Sequence, residues 1–270
     1  MPNRPPISVY ILTGCNSLTL ERALKSVFGW ADEIVIVDSL LEEATAEIGR
    51  RYASKFIQQK WLGFREQYKL ASEHCTHEWR MFIDADEELS PALREEIDEV
   101  LSRGDVPVAA YAFPRKTYFL GRWIRHGNWG NDSEIRLYRK GEGDWGVGLH
   151  AAIETRVPVV LLKGVLYHYS FENIAHTLRT INSYSSTDAE IWAEQKGKPL
   201  RLSNVIVNPL WRAFRSYFLK GGFRDGFPGF YVAVYEAVYA FFKYAKRWEK
   251  THVTSMFPVR DYYGKNIEEN

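Results

Sequence analysis

The chain has 270 residues, enough for one α/β core of up to roughly 250 residues plus an appendage. Its 35 Lys and Arg against 34 Asp and Glu leave a net charge of +1, so no nucleic-acid partner is expected and any anionic partner must be met by a local site. Two cysteines, Cys15 and Cys75, and no basic-then-apolar leader at the start speak against a disulfide scaffold and for a cytoplasmic setting.

Residues 7–13 (ISVYILT) and 33–38 (EIVIVD) are short, β-branched, almost wholly apolar runs, as expected of parallel strands buried on both faces. Between them, within residues 19–30, Leu20, Ala23, Leu24 and Val27 fall at i, i+3, i+4 and i+7, the spacing of a helical face. The opening unit is therefore strand, helix, strand, with a right-handed crossover. Residues 45–52 predict a second helix, 54–58 a weak third strand, 67–74 a third helix, and 79–83 (WRMFI) a buried strand that ends at Asp84. This alternation describes a Rossmann-like, mostly parallel α/β sheet, whose ligands bind outside the carboxyl ends of the strands. Asp38 and Asp84 both stand at such ends.

Ser90 and Pro91 start a helix running to about Leu101, with serine as cap and proline early. Residues 102–107 read as a loop, and 109–138 as strand-like and aromatic, punctuated by Gly121, Gly127 and Gly130. Residues 175–195 predict a polar and aromatic helix. Residues 210–244 mix aromatics with Arg212, Arg215, Lys220, Arg224 and Lys243 in helical register. Two amphipathic helices packed on the domain would look this way, but basic residues on several sides favour an anionic membrane surface as partner. No run approaches the ~20 apolar residues of a spanning helix.

The chemistry concentrates at Asp84-Ala85-Asp86-Glu87. Carboxylates at i and i+2 beside a loop suit Mg²⁺ or Mn²⁺ bridging a diphosphate. An acidic loop capping the helix at Pro91 has the same composition; the position after a fourth strand favours the metal. His168 either completes that site or packs in a strand. Arg122, Arg125 and His126 suit a phosphorylated acceptor, or form a solvated basic face. Trp123 and Trp129 either stack on a sugar ring or belong to the core.

Four blocks resemble family 2 glycosyltransferases, most closely the bacterial branch that adds a β-linked glucose to the heptose of the lipopolysaccharide inner core. They are residues 30–39 (WADEIVIVDS); Trp61-Leu62-Gly63-Phe64 with Gln67 and the Asp84 cluster; residues 118–127 (YFLGRWIRHG) with Trp129 and Arg136-Leu137-Tyr138; and Gly222-Phe223-Arg224-Asp225-Gly226 with Gly229, Lys243 and Tyr244. The resemblance implies a GT-A type catalytic domain over residues 1–170. Its nucleotide-sugar half is about 1–108 and its acceptor half about 109–170, followed by a helical extension over 171–270. It implies inverting transfer from a nucleotide diphosphate sugar to a lipopolysaccharide-core or other lipid-linked or polysaccharide acceptor, at the cytoplasmic face of the inner membrane.

By the same resemblance, the donor is held by Thr13, Asp38, Glu43, Gln67 and Asp84. The ion is held by Asp84, Asp86 and His168, and the glycan or glycolipid acceptor by Arg122, Arg125, His126 and Trp129. The base is Asp132, ahead of Glu134 and His150. Three departures stand against this pattern. The family's Lys-Asn-Glu-Glu after the first strand is Gly14-Cys15-Asn16-Ser17, its Ser-Gly-Ser-x-Asp is Ser39-Leu40-Leu41-Glu42-Glu43, and alanine at 151 replaces the glutamate of Val-His-Glu. They keep open an alternative, a non-catalytic relative that binds nucleotide-sugar or glycan.

Overall fold

In the computed structural model, which describes residues 4–15, 17–103, 108–130, 132–146, 151–194 and 200–253, the first apolar runs become the middle of a parallel sheet. β1 (Ile7–Thr13) lies between β2 (Glu33–Asp38) and β4 (Trp79–Phe82), with Thr13 opposite Asp38. β3 (Lys55–Gln58) flanks β2 in parallel. The connecting helices are α1 (Ser17–Val27), α2 (Glu43–Tyr52) and α3 (Phe64–Glu73). Alternation along β1 feeds two cores: Val9 and Ile11 pack with Leu20, Leu24 and Met81, and Tyr10 packs with Val35, Phe82 and Trp145. Both faces are buried, which is why the strand carries no polar alternation.

The second half folds back onto β4. β5 (Glu87–Leu89) follows at once, then α4 (Pro91–Ser102), β6 (Ala110–Phe119), β7 (Arg122–Trp123) and β8 (Asp132–Arg139). A small pair, β9 (Asp144–Trp145) with β10 (Ile153–Glu154), precedes β11 (Val159–Leu161) and β12 (Leu166–His168). The sheet order is β3-β2-β1-β4-β8-β6-β12-β5, with β7 and β11 also on β6. The turn of direction at β4 and β8, antiparallel through Met81 and Leu137, brings the ends of β4, β6, β8 and β12 together.

The extension comprises α5 (Ile174–Glu194), α6 (Leu202–Phe214) with Pro209 inside it, a π turn at Arg215–Leu219, a 3-10 turn at Gly222–Asp225, and α7 (Gly226–His252). α7 packs on α5 and α6. It crosses the 3-10 turn so closely that a Cβ at Gly229 would lie 1.9 Å from the Gly222 carbonyl oxygen, which accounts for the glycines of that block. Among the described residues no helix is long and apolar enough to cross a membrane.

Two features yield stability predictions. Leu40 has φ 63° and is 48% exposed, standing where the resembled family has glycine. An L side chain in that region costs about 1–2 kcal/mol, partly offset by glycine's larger unfolded-state entropy. Leu40→Gly is expected to raise the unfolding free energy by about 0.5–1 kcal/mol in urea melts.

Buried Glu33 ties β1 to β4. Its carboxylate accepts hydrogen bonds from the Ser8 hydroxyl (2.5 Å) and from the Thr76 amide and hydroxyl (2.7 Å each), and it pairs with Lys55 at 2.8 Å. Burial opposes the charge, but Lys55, Ser8 and Thr76 outweigh it and hold the carboxyl down at about 2. A depressed folded value stabilises above the unfolded value near 4.5, and the benefit is lost as pH falls toward 2. Glu33→Gln should therefore cost about 2 kcal/mol at pH 7, with the difference shrinking toward pH 2; an equal loss at both pH values would refute the ionic role.

Candidate active site

Asp84, Asp86 and Glu88 are half-buried, whereas Ala85, Glu87 and Leu89 are buried. The segment after β4 thus alternates its side chains between cleft and core. Ser90 caps α4, accepting from the Leu93 amide at 3.2 Å, so the helix has its cap without Asp84 or Asp86. The loop is closed by the Asp84 amide donating to Glu87 (2.9 Å) and the Tyr169 amide donating to the Asp86 carbonyl (2.9 Å).

Around it lies a charge network. Arg136 reaches Asp84 at 2.8 Å and Glu87 at 2.7 Å, and its guanidinium sits 4.8 Å over the Phe82 ring. Its aim comes from the sheet: Tyr111 pairs with Leu137 and Ala112 with Ile135, so Arg136 is the extra residue of a β-bulge, a device that redirects a side chain. Arg115 donates to Asp132 at 2.8 Å and lies 3.4 Å from Glu87 and 3.6 Å from Glu134. On β12, His168 Nε2 is 3.6 Å from Asp86. Five carboxylates thus face two arginines and one histidine, a net negative site. Burial and the charges of Glu87 and Asp86 push the Asp84 carboxyl up to about 6 in spite of Arg136. At Asp86 burial is outweighed by His168 and Arg115, which hold the carboxyl below its ordinary value.

The donor-side residues lie at the neighbouring strand ends. Asp38 and Thr13 are buried, and among the described residues Asp38 Oδ1 and Thr13 Oγ1 have no hydrogen-bond partner. Buried polar atoms are rarely left so, because each costs about 1–3 kcal/mol; the pair is poised for a ligand. Asp38 Oδ2 accepts from the Leu40 amide (3.2 Å) and from Gln58 (3.4 Å). Gln67 is fully buried and spends its amide on the loop before α3, donating to the Gln59 carbonyl (3.3 Å) and accepting from the Leu62 amide (3.4 Å). Glu43 stands outside the cluster, exposed and paired with Arg50 at 2.5 Å. Its neighbour Glu42 instead joins α1 to α2, accepting from Ser17 (3.1 Å) and from Thr45.

A cleft of about 590 Å³ runs between Trp61, Phe64 and α5, where Tyr184 and Ile191 line it. Burial and then the charges of Asp86 and Asp84 push the Tyr184 phenol above its usual range, so this helix of the extension runs within electrostatic reach of the acidic site.

The acceptor block lies against the extension. Asp225 is buried and gathers it: its carboxylate accepts from the Arg125 amide (2.9 Å), the His126 amide (2.7 Å) and His126 Nδ1 (3.1 Å), and its carbonyl from Arg122 (3.0 Å). Trp129 donates to Glu236 at 3.2 Å and packs among Phe119, Phe171 and Tyr235. Only Arg125 of this group keeps its side chain exposed without an ion pair in the described residues. Trp123 sits between Tyr118, Tyr167 and Tyr169. Ala151 packs on the core containing Trp145 and Ile153, and His150 lies outside the described residues.

The structure thus gathers Asp84, Asp86, Asp132, Glu134 and His168 at one place, with Thr13 and Asp38 beside them. Sequence reasoning passed over Glu87, Arg115, Arg136, Tyr184 and Asp225 as members of the site or its support. Glu87 had a local signal as the third acid of its cluster, Arg136 and Asp225 stood in blocks of resemblance without an assigned role, and Arg115 and Tyr184 had no signal.

The mostly parallel sheet with its antiparallel return and helical extension is a GT-A type fold. Residues 8–156 match the family described as Glycosyl transferase family 2. The lipopolysaccharide core biosynthesis glycosyltransferase LpsC of Rhizobium meliloti is 31% identical over 91% of this chain and 93% of its own. An uncharacterised glycosyltransferase of Rickettsia typhi is 28% identical over 89% and 86%. Among solved structures, the mannosyltransferase PcManGT from Pyrobaculum calidifontis, in complex with GDP-Man and Mn²⁺, superposes with a TM-score of 0.57 at 14% identity, covering 92% of this chain and 88% of that one. The chain belongs to glycosyl transferase family 2.

Proposed function

We propose that this glycosyltransferase moves a sugar, with inversion, from a nucleotide diphosphate sugar to the core of lipopolysaccharide or a related lipid-linked or polysaccharide acceptor, working on the cytoplasmic face of the inner membrane. The observation that carries the donor half is the orphaned pair Asp38 Oδ1 and Thr13 Oγ1 beside an acidic cluster short of positive charge. The acceptor half rests on the similarity to a lipopolysaccharide-core enzyme over nine-tenths of both chains.

Mn²⁺ or Mg²⁺ fits this donor set. Among the described residues no three histidine, cysteine or acidic side chains form a ready metal cage. Such ions are usually held by one or two carboxylates plus the substrate's phosphates, so Asp86, with Asp84 and His168 close by, suffices. When bound, the ion would stabilise the charge of the departing diphosphate. Thr13 and Asp38 hold the nucleoside, and Asp84 lies next to them. Asp132, aligned by Arg115, takes the proton of the acceptor hydroxyl as it attacks the anomeric carbon. Glu134 is its nearest substitute, and His150 is the further candidate carried by the resemblance. Tyr184 and Ile191 of α5 form one wall of the cleft beside the donor site. Of the acceptor block, exposed Arg125 is the side chain placed to meet an acceptor phosphate, while Arg122, His126 and Trp129 hold that block against the extension through Asp225 and Glu236.

The exposed apolar side chains of the extension, Trp211, Phe214, Phe218, Phe223, Phe227 and Phe230 among them, support peripheral docking on an anionic leaflet. The test of the whole reading is transfer of labelled sugar from uridine, guanosine and cytidine diphosphate donors to lipopolysaccharide truncated within its core. One donor is expected to label the acceptor. Donor binding without transfer to any glycan would favour the non-catalytic alternative that Ala151 keeps open.

A further inference from the structure

A cavity of about 450 Å³ lies between α6, the π turn and α7, away from the acidic site and lined by Asn128, Asn208, Trp211, Arg212, Arg215 and Lys220, with Glu236 and Tyr244. Three cations face one carboxylate there. Glu236 answers Arg212 at 3.4 Å and also accepts from Trp129. Arg215 and Lys220 have no carboxylate partner among the described residues.

The backbone that carries them is held firmly. The Lys220 amide closes the π turn on the Arg215 carbonyl (2.8 Å), and the Lys220 carbonyl accepts from the Gly127 amide (3.0 Å). A π turn is an uncommon conformation that recurs at functional sites. From the rim, Trp211 stacks on Phe214 (5.9 Å) and Phe214 leans on Phe218 (5.3 Å), all three about half exposed.

We infer that this cavity binds the phosphate headgroup of an anionic phospholipid when the extension lies on a membrane. The guanidinium of Arg215 and the ammonium of Lys220 are suited to a phosphodiester, and the two asparagine amides to the headgroup's hydroxyls. The aromatic run continuing from the rim is what selects a lipid over a soluble phosphate ester, since tryptophan and its neighbours settle at the membrane interface. The inference rests on the docking proposed above and adds a defined phosphate site to it.

The test is co-sedimentation of the full chain with phosphatidylcholine vesicles with and without phosphatidylglycerol, alongside calorimetry with short-chain phosphatidylglycerol and with inorganic phosphate. Arg215→Lys keeps the charge, so a diffuse electrostatic attraction would not notice it. A fork that grips a phosphate would, and affinity for phosphatidylglycerol is expected to fall about five- to tenfold. Arg224→Lys, an exposed arginine of the extension outside the cavity, should leave it unchanged. If wild type binds the vesicles and Arg215→Lys binds equally well, the site is overturned while docking stands. If wild type ignores anionic vesicles, docking and site both fall, with glycosyl transfer untouched. Inorganic phosphate binding as tightly as the lipid would also overturn the inference, reassigning the cavity to a soluble phosphate.

Discussion

Replacing Asp86 with asparagine is expected to lower sugar transfer by about a thousandfold, roughly 4 kcal/mol of transition-state stabilisation, while unfolding stability stays within about 1 kcal/mol of wild type. The two halves of this expectation come from one geometry. Asp86 is half-buried, and its side chain's one direct ion pair among the described residues is with His168 at 3.6 Å. Little of the fold depends on its charge, whereas an anionic oxygen at that position is what a divalent ion beside a diphosphate requires. Steady-state rates at saturating donor, with thermal unfolding as control, decide it. Activity within tenfold of wild type would remove Asp86 from the machinery.

Glu87→Ala should behave in the opposite way, costing about 3–5 kcal/mol of stability because it strands buried charge. Glu87 is almost fully buried and binds Arg136 at 2.7 Å, Arg115 at 3.4 Å and the Asp84 amide at 2.9 Å. Its removal empties the position between the two arginines, leaving buried Arg136 with Asp84 alone and Arg115 with Asp132 and Glu134. The loop carrying Asp84 and Asp86 loses its internal tie as well, so activity should fall with stability. Urea denaturation measures the first effect; a loss below about 1 kcal/mol would mean that the network carries no such weight.

These two acids stand one residue apart, and only one of their roles could be read from the chain. The Asp-x-Asp was visible because it follows an apolar run of strand type. The role of Glu87 depends on arginines 28 and 49 residues away, one of them turned inward by a bulge that no periodicity announces. The strand, helix, strand opening was equally legible, since burial on both faces leaves continuous apolar runs. β5 was not, because three residues, Glu87-Glu88-Leu89, carry no pattern and gain strand geometry only by pairing with β12.

The blocks of family resemblance fared unevenly for physical reasons. The acceptor block, read as ligand-facing, proves to be largely occupied with holding the extension: Asp225 draws in the Arg125 and His126 amides, and Trp129 lies within an aromatic cluster. Its Arg and Trp residues look alike in sequence whether they meet a sugar or a helix. Leu40 shows the converse. Its departure from glycine is one of the three that keep the non-catalytic alternative open, yet the backbone there is left-handed and Asp38 is buried.

The metal-assisted nucleotide-sugar site proposed at Asp38, Thr13 and the Asp84 cluster is tested by calorimetric titration of the purified protein with uridine, guanosine and cytidine diphosphate sugars, each with and without Mn²⁺. One nucleotide class is expected to bind, only with the ion present, and Asp86→Asn is expected to abolish that binding. Binding of equal strength with and without Mn²⁺, or no binding by any donor in either condition, would contradict the proposed site.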